Sequence, residues 1–235
     1  MIKKHTLTLK KIEQLTPTVK GFDFLLDEPL TYKTGQWLML EIPANGQLLK
    51  RAMSIASPAY KQSLLHFCVK LASNSTGGSI ALHALKEGEQ IQATGPFGLF
   101  TLKYPTEADI VMIATGSGIS PFRAMALDLL EDKKATNQIY LLFGNRTENE
   151  IIYREFFEEL AKKHSNFHFL STLTRPDHNW EGETGRVQQL LEKHISSDKN
   201  KHFYICGLKD MVLEMVTLLE QKGYQREHIH FERYN

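Results

Sequence analysis

Cysteine is scarce in this chain: two in 235 residues, Cys68 and Cys206, far apart. Two thiols build no disulfide framework and fall short of the four that an iron–sulfur cluster usually takes, so no cluster is expected. An excess of one charge is also lacking, since 28 Lys and Arg against 27 Asp and Glu leave a net charge of +1. That balance argues against nucleic acid held by positive charge, and no nucleic-acid partner is expected. No uninterrupted apolar run approaches the roughly 20 residues that span a bilayer. Thr6, Thr8 and Lys10 interrupt the residues after Met1–Lys4, leaving no apolar core for an export signal. A cytoplasmic protein without membrane association is the expectation. Internal repeats and low-complexity segments are absent too. The pairs His164/His168 and His228/His230 lack a third ligand at suitable spacing, so no metal is expected.

What is present reads as a globular protein. Hydrophobic residues make up 42% and charged residues 23%, enough for a packed core. At about 100–200 residues per domain, the length suits one large domain or two compact ones. In the first hundred residues, short runs at Thr6–Lys10, Val19–Phe24, Gln36–Ile42, Leu64–Lys70 and Gln90–Ala93 are bounded by Pro29, Gly35, Pro43, Gly46 and Gly88. This spacing predicts strands of a barrel or sandwich, interrupted by one helix over Ser79–Lys86. After Pro105 the pattern changes. Apolar runs at Asp109–Ala114, Ile139–Phe143, Asn166–Leu173, His202–Cys206 and His228–Glu232 alternate with helical stretches at Pro121–Glu131, Asn149–Lys162, Gly185–His194 and Leu208–Gln221. Such alternation predicts a parallel sheet covered on both faces. The change near Tyr104–Glu107 divides the chain into domains over 1–104 and 105–235.

Thr115-Gly116-Ser117-Gly118-Ile119-Ser120-Pro121 follows the first parallel strand and opens a helix. Glycines there permit a tight turn against a diphosphate, the helix start supplies unpaired N–H groups, and Pro121 suits the first helical turn. A plain strand-to-helix turn accounts for the same residues. The pattern Gly-x-Gly-x-x-Pro differs from the Rossmann Gly-x-Gly-x-x-Gly. The second parallel strand ends in Phe143-Gly144-Asn145-Arg146, with a cation where an acid would hold an adenosine ribose. The turn reads as a nucleotide site of another lineage.

Four segments in order resemble the plant-type ferredoxin–NADP⁺ reductase family: Arg51-Ala52-Met53-Ser54, Gly77-Gly78-Ser79, Thr115–Pro121 and Cys206-Gly207-Leu208. Gly95–Gly98 and Phe231–Tyr234 add to the match, which covers nearly the whole chain. The resemblance implies an antiparallel β-barrel carrying FAD, then an α/β domain with a five-stranded parallel sheet for a nicotinamide nucleotide, and no iron–sulfur domain. It pairs Arg51 with the flavin diphosphate, flanked by Ala52 and Met53, and puts Ser54 near the flavin N5. Cys68-Val69-Lys70 would line the flavin nucleotide through backbone contacts. Ser79, after Gly77 and Gly78, would turn a hydroxyl and helix N–H groups to the diphosphate. Relatives usually carry Tyr or Phe where Met53 stands, so somewhat weaker FAD binding is expected. Tyr234 would cover the other flavin face. Ser54, Cys206 and Glu232 form the implied catalytic set, with Cys206 positioning the nicotinamide and Glu232 polarising the site or relaying a proton. Taken without the resemblance, Arg51 is a surface ion-pair residue, Ser79 an N-cap, Cys206 an inert buried thiol, and Glu232 and Tyr234 strand-end surface residues.

Arg146, Thr174, Arg175 and Arg186 follow strands or open a helix at the carboxyl edge of the expected sheet, the crevice where such sheets bind ligands. Cations there favour the 2′-phosphate of NADP(H), although Arg186 has the alternative of capping or pairing locally. FAD and NADP(H) are therefore the expected cofactors. The implied reaction exchanges hydride with NADP(H) and single electrons with a separate carrier, ferredoxin or flavodoxin, in a monomer. Two alternatives stand beside it: an NAD(P)H:flavin reductase using diffusible flavin, and the reductase component of an oxygenase.

Overall fold

The computed structural model describes residues 3–44, 46–71 and 77–234, which fold into two compact units. One comprises Met1–Leu102 with Ser120–Lys133, the other Lys103–Ile119 with Lys134–Asn235. The segment Ser120–Lys133, which its sequence pattern assigns to the second domain, thus groups with the first unit.

In the first unit, β1 (Lys3–Thr16), β2 (Val19–Leu26), β3 (Trp37–Ala44), β4 (Gln47–Ser54), β5 (Leu64–Lys70) and β6 (Gln90–Phe97) form one antiparallel sheet. Its order is β4-β3-β6-β1-β2-β5, so β4 and β5 are edges, and the sheet curls into the half-barrel form of the expected antiparallel barrel. Alternation along β1 buries Leu7 and Leu9 and leaves Lys10 outside. Across the core, Phe24 meets Phe67 edge-on at 6.0 Å. Helix α1 (Gly77–Ala84) buries Leu82 against this core.

The segment after the glycine turn forms α2 (Ser120–Leu127) and then widens into a π-helical turn over Asp128–Asp132, where the sequence predicts one continuous helix. Its side chains engage the first unit. Phe122 packs edge-on against Phe100 at 6.1 Å, and Arg123 Nη1 donates to the Ala56 carbonyl at 2.8 Å. Buried Asp128 accepts from the Ala59 N–H at 3.0 Å and from the Thr34 side chain.

The second unit is a parallel sheet of β7 (Asp109–Thr115), β8 (Ile139–Asn145), β9 (Phe167–Leu173), β10 (Glu183–Thr184), β11 (Lys201–Leu208) and β12 (Ile229–Tyr234). The order is β10-β9-β8-β7-β11-β12. The two-residue β10 makes this a six-stranded sheet where five strands are expected; two residues are too few to register as a strand pattern. Ile110–Ala114 are wholly buried, the signature of a central strand covered on both faces. One face packs on α4 (Val187–His194) and α5 (Lys209–Gln221) through Leu190, Val212 and Met215. On β9, Phe169 stands 5.2 Å from Phe157 of α3 (Arg154–Lys163). That helix starts later than its acidic run predicts, because Glu148–Glu150 form a separate 3₁₀ turn and Glu148 and Glu158 both bind Arg154. Among the described residues, no helix is long and apolar enough to cross a membrane, and no three His, Cys, Asp or Glu side chains are placed to hold a metal ion.

Candidate active site

The first unit brings Arg51 to the start of α1. Leu49, Arg51 and Met53 alternate with the exposed Lys50 and Ala52 along the edge strand β4. A Cβ on Gly77 would stand 2.8 Å from Leu49 Cδ1, and one on Gly78 only 2.5 Å from Arg51 Cγ and 2.7 Å from Nε. The arginine stem therefore lies across the helix start, and only glycine leaves it that path. A guanidinium laid across the N–H groups that open a helix gives a donor set that fits a diphosphate. Ser54 is buried at the end of β4, and Met53 is half-buried against the barrel core. On β5, Cys68 and Val69 are buried and Lys70 is exposed. The Val69 carbonyl, expected to face the flavin nucleotide, accepts from His83 Nε2 at 2.9 Å.

The second unit folds the glycine turn onto the end of β11. Gly116–Ile119 form a 3₁₀ turn, and a Cβ on Gly118 would fall 2.3 Å from the Cys206 carbonyl oxygen. A Cβ on Gly207 would meet Thr115 Oγ1 at 2.4 Å, and the Leu208 N–H donates to that oxygen at 3.4 Å. Thr115, Gly116, Gly118, Cys206, Gly207 and Leu208 thus form one constellation, and the chain continues through Pro121, buried in the first turn of α2. Among the described residues, nothing lies within 4 Å of the point where a side chain on Gly116 would begin.

Cys206 is fully buried, with Ala114 and Glu232 as its strand neighbours. Burial pushes its thiol well above the ordinary range, the Glu232 carboxylate adds to the rise, and a side-chain hydrogen bond with Tyr234 works the other way. A thiol so placed stays protonated and is no nucleophile. The sheet register contributes to this by setting Glu232 beside it.

Arg146, Thr174, Arg175 and Arg186 are all exposed along the carboxyl edge. The Thr174 N–H donates to the Asn145 carbonyl at 3.0 Å and the Arg175 N–H to the Arg146 carbonyl at 2.8 Å, so the chains leaving β8 and β9 run side by side. The Gly185 N–H donates to the Leu173 carbonyl at 2.8 Å, which brings Arg186 to the same edge. Arg186 precedes α4, and its N–H donates to Gln189 Oε1 at 2.9 Å. Thr174, Gly185, Arg186, Gln188, Gln189 and Glu214 line a cleft of about 510 Å³. Sequence reading misses Glu214 and Gln188. Glu214 lies on α5, beyond the last motif, and only the packing of α5 beside α4 delivers it. Its carboxylate takes Arg186 Nη1 at 3.3 Å and Gln188 Nε2 at 2.8 Å.

The model of the oxidoreductase FAD-binding domain matches residues 6–102, and that of the oxidoreductase NAD-binding domain matches residues 112–216. The ferredoxin–NADP reductase B of Sorangium cellulosum is 33% identical over 236 residues, covering 97% of this chain and 96% of that protein. The phenol hydroxylase P5 protein of Acinetobacter pittii is 30% identical over 239 residues; the match takes in 100% of this chain, which spans 66% of that longer protein. Among solved structures, a ferredoxin NADP⁺ reductase from Neisseria gonorrhoeae with bound FAD and NADP shares the fold at a TM-score of 0.84 and 23% identity, over 99% of this chain and 98% of that one. A relative matched over nearly its whole length, together with the two domain matches in the same order, shows that this chain belongs to the ferredoxin–NADP reductase family of FAD- and NAD(P)-binding oxidoreductases.

Proposed function

We propose that the protein exchanges electrons between NADP(H) and a separate one-electron carrier, a ferredoxin or flavodoxin, as a cytoplasmic monomer. FAD, when bound, supplies a centre that takes up a hydride as an electron pair and gives the electrons up singly. Arg51, Gly77, Gly78 and Ser79 hold its diphosphate; Ala52, Met53, Cys68, Val69, Lys70 and Tyr234 complete its site. Ser54 and Glu232 serve the reacting end with a hydroxyl and a proton-holding carboxyl, and neutral Cys206 positions the nicotinamide. Thr115, Gly116, Gly118, Pro121, Gly207 and Leu208 receive the second nucleotide. Arg146, Thr174, Arg175 and Arg186 select the 2′-phosphate. The observation that carries this reading is the crossing of Arg51 over Gly78, which joins two sequence motifs into one anion cradle.

A second reading, the reductase component of an oxygenase system, draws on the similarity to the phenol hydroxylase protein across the full chain. The deciding experiment mixes FAD-loaded protein anaerobically with NADPH and NADH in parallel and follows the visible flavin absorbance. Bleaching at lower NADPH than NADH, followed by reduction of a ferredoxin or flavodoxin, is expected. No bleaching by either nucleotide overturns the proposal, and electron delivery to an oxygenase component alone moves the protein to the second reading. A colourless protein that reduces added flavin is a flavin reductase.

A further inference from the structure

We infer that Glu214 is a specificity-determining residue that holds NADPH preference down by competing for Arg186. The inference rests on reading the cleft between α4 and the end of β9 as the adenosine-ribose end of the nucleotide site. Arg186 Nη1 lies 3.3 Å from Glu214 Oε2, and Gln188 Nε2 donates to the same oxygen at 2.8 Å. The carboxylate therefore occupies the cation and an amide donor that a 2′-phosphate would use. Arg186 and Glu214 side chains are 71% and 52% exposed. An ion pair this exposed is weak and exchangeable, so a phosphate can take Arg186, but only against a carboxylate held in the same cleft. NADH meets no such penalty. Its ribose 2′-hydroxyl is a donor, and Glu214 is an acceptor within the cleft that needs no other partner for it. Selectivity is a difference between two affinities, and here the repulsive element is what distinguishes them.

Glu214→Gln keeps the shape of the side chain and removes the charge. In calorimetric titrations of the FAD-loaded protein, this variant is expected to bind 2′-phospho-AMP about two- to fivefold more tightly, with AMP affinity little changed. The ratio of kcat/KM for NADPH over NADH should rise by a similar factor. No change in that ratio, or an equal gain for both nucleotides, overturns the inference. Arg186→Ala separates the two levels of the argument. If it weakens 2′-phospho-AMP while E214Q changes nothing, the cleft binds the phosphate and the role of Glu214 alone fails. If R186A leaves 2′-phospho-AMP binding intact, the assignment of the cleft fails and the inference falls with it.

Discussion

Arg51 and Cys206 show how one residue's environment settles its chemistry. The Arg51 guanidinium is kept at the start of α1 by a glycine that leaves room for its stem. Its hydrogen bonds to a charged group are worth about 1.5–3 kcal/mol, so Arg51→Ala should weaken FAD binding by roughly 10- to 100-fold, measured by flavin fluorescence titration. Gly78→Ala should weaken it as well, because the new Cβ displaces the arginine without removing any charge. Cys206 carries the opposite lesson. Burial and the Glu232 carboxylate raise its pKa, so the native thiol keeps its proton where an unfolded cysteine, with a pKa of about 8.5, loses it. The unfolded chain then binds fewer protons than the native one, and stability declines as pH climbs past that value. Urea titrations across about pH 7.5–9.5 should show a shallower decline in Cys206→Ser. Native protein should resist alkylation at neutral pH.

Elements are positioned by contacts that their own sequences do not announce. By periodicity, Pro121–Glu131 reads as a helix of the parallel domain, yet Arg123 and Asp128 bond to Ala56 and Ala59 of the antiparallel unit. Asp128→Ala would strand the Ala59 N–H and the Thr34 hydroxyl, which should cost about 1–3 kcal/mol in chemical denaturation. The strand pair β11–β12 and the 3₁₀ turn before β12 gather His202, His228 and His230, with His230 Nε2 at 3.5 Å from His202 Nδ1. Burial first, then charge repulsion from His202, Lys103, His228 and Arg226, pushes His230 down to about 4. Between about 6.5 and that value the unfolded chain takes up a proton that the native state resists, so stability falls as pH falls. His230 is half-buried, and screening by solvent reduces the expected loss to about 1–2 kcal/mol. A His230→Gln variant should flatten the acid limb of a Tm-against-pH profile.

At the scale of the whole molecule, bound FAD acts as a stabilising ligand. At a hundredfold excess over its Kd, a ligand that binds only the native state adds about 2.7 kcal/mol. Removing FAD should therefore lower Tm, and adding it back should restore the original value; a calorimetric scan of both forms checks this. The change from alternating strands to a strand–helix alternation is visible in sequence because strand and helix periodicity depend on local burial alone. Central strands such as Ile110–Ala114 stand out for that reason. The edge strand β4 does not, since the exposed Lys50 and the half-buried Arg51 put two charges in sequence and break its apolar pattern. The motifs at positions 51, 77–79, 115–121 and 206–208 are legible because phosphates and ring systems demand particular residue types at fixed offsets. That Arg51 crosses Gly78, that Glu232 raises the Cys206 pKa, and that Glu214 takes Arg186 were decided by the tertiary structure alone. Those contacts join residues from separate elements, and their distances depend on sheet register and helix packing, which local sequence does not encode.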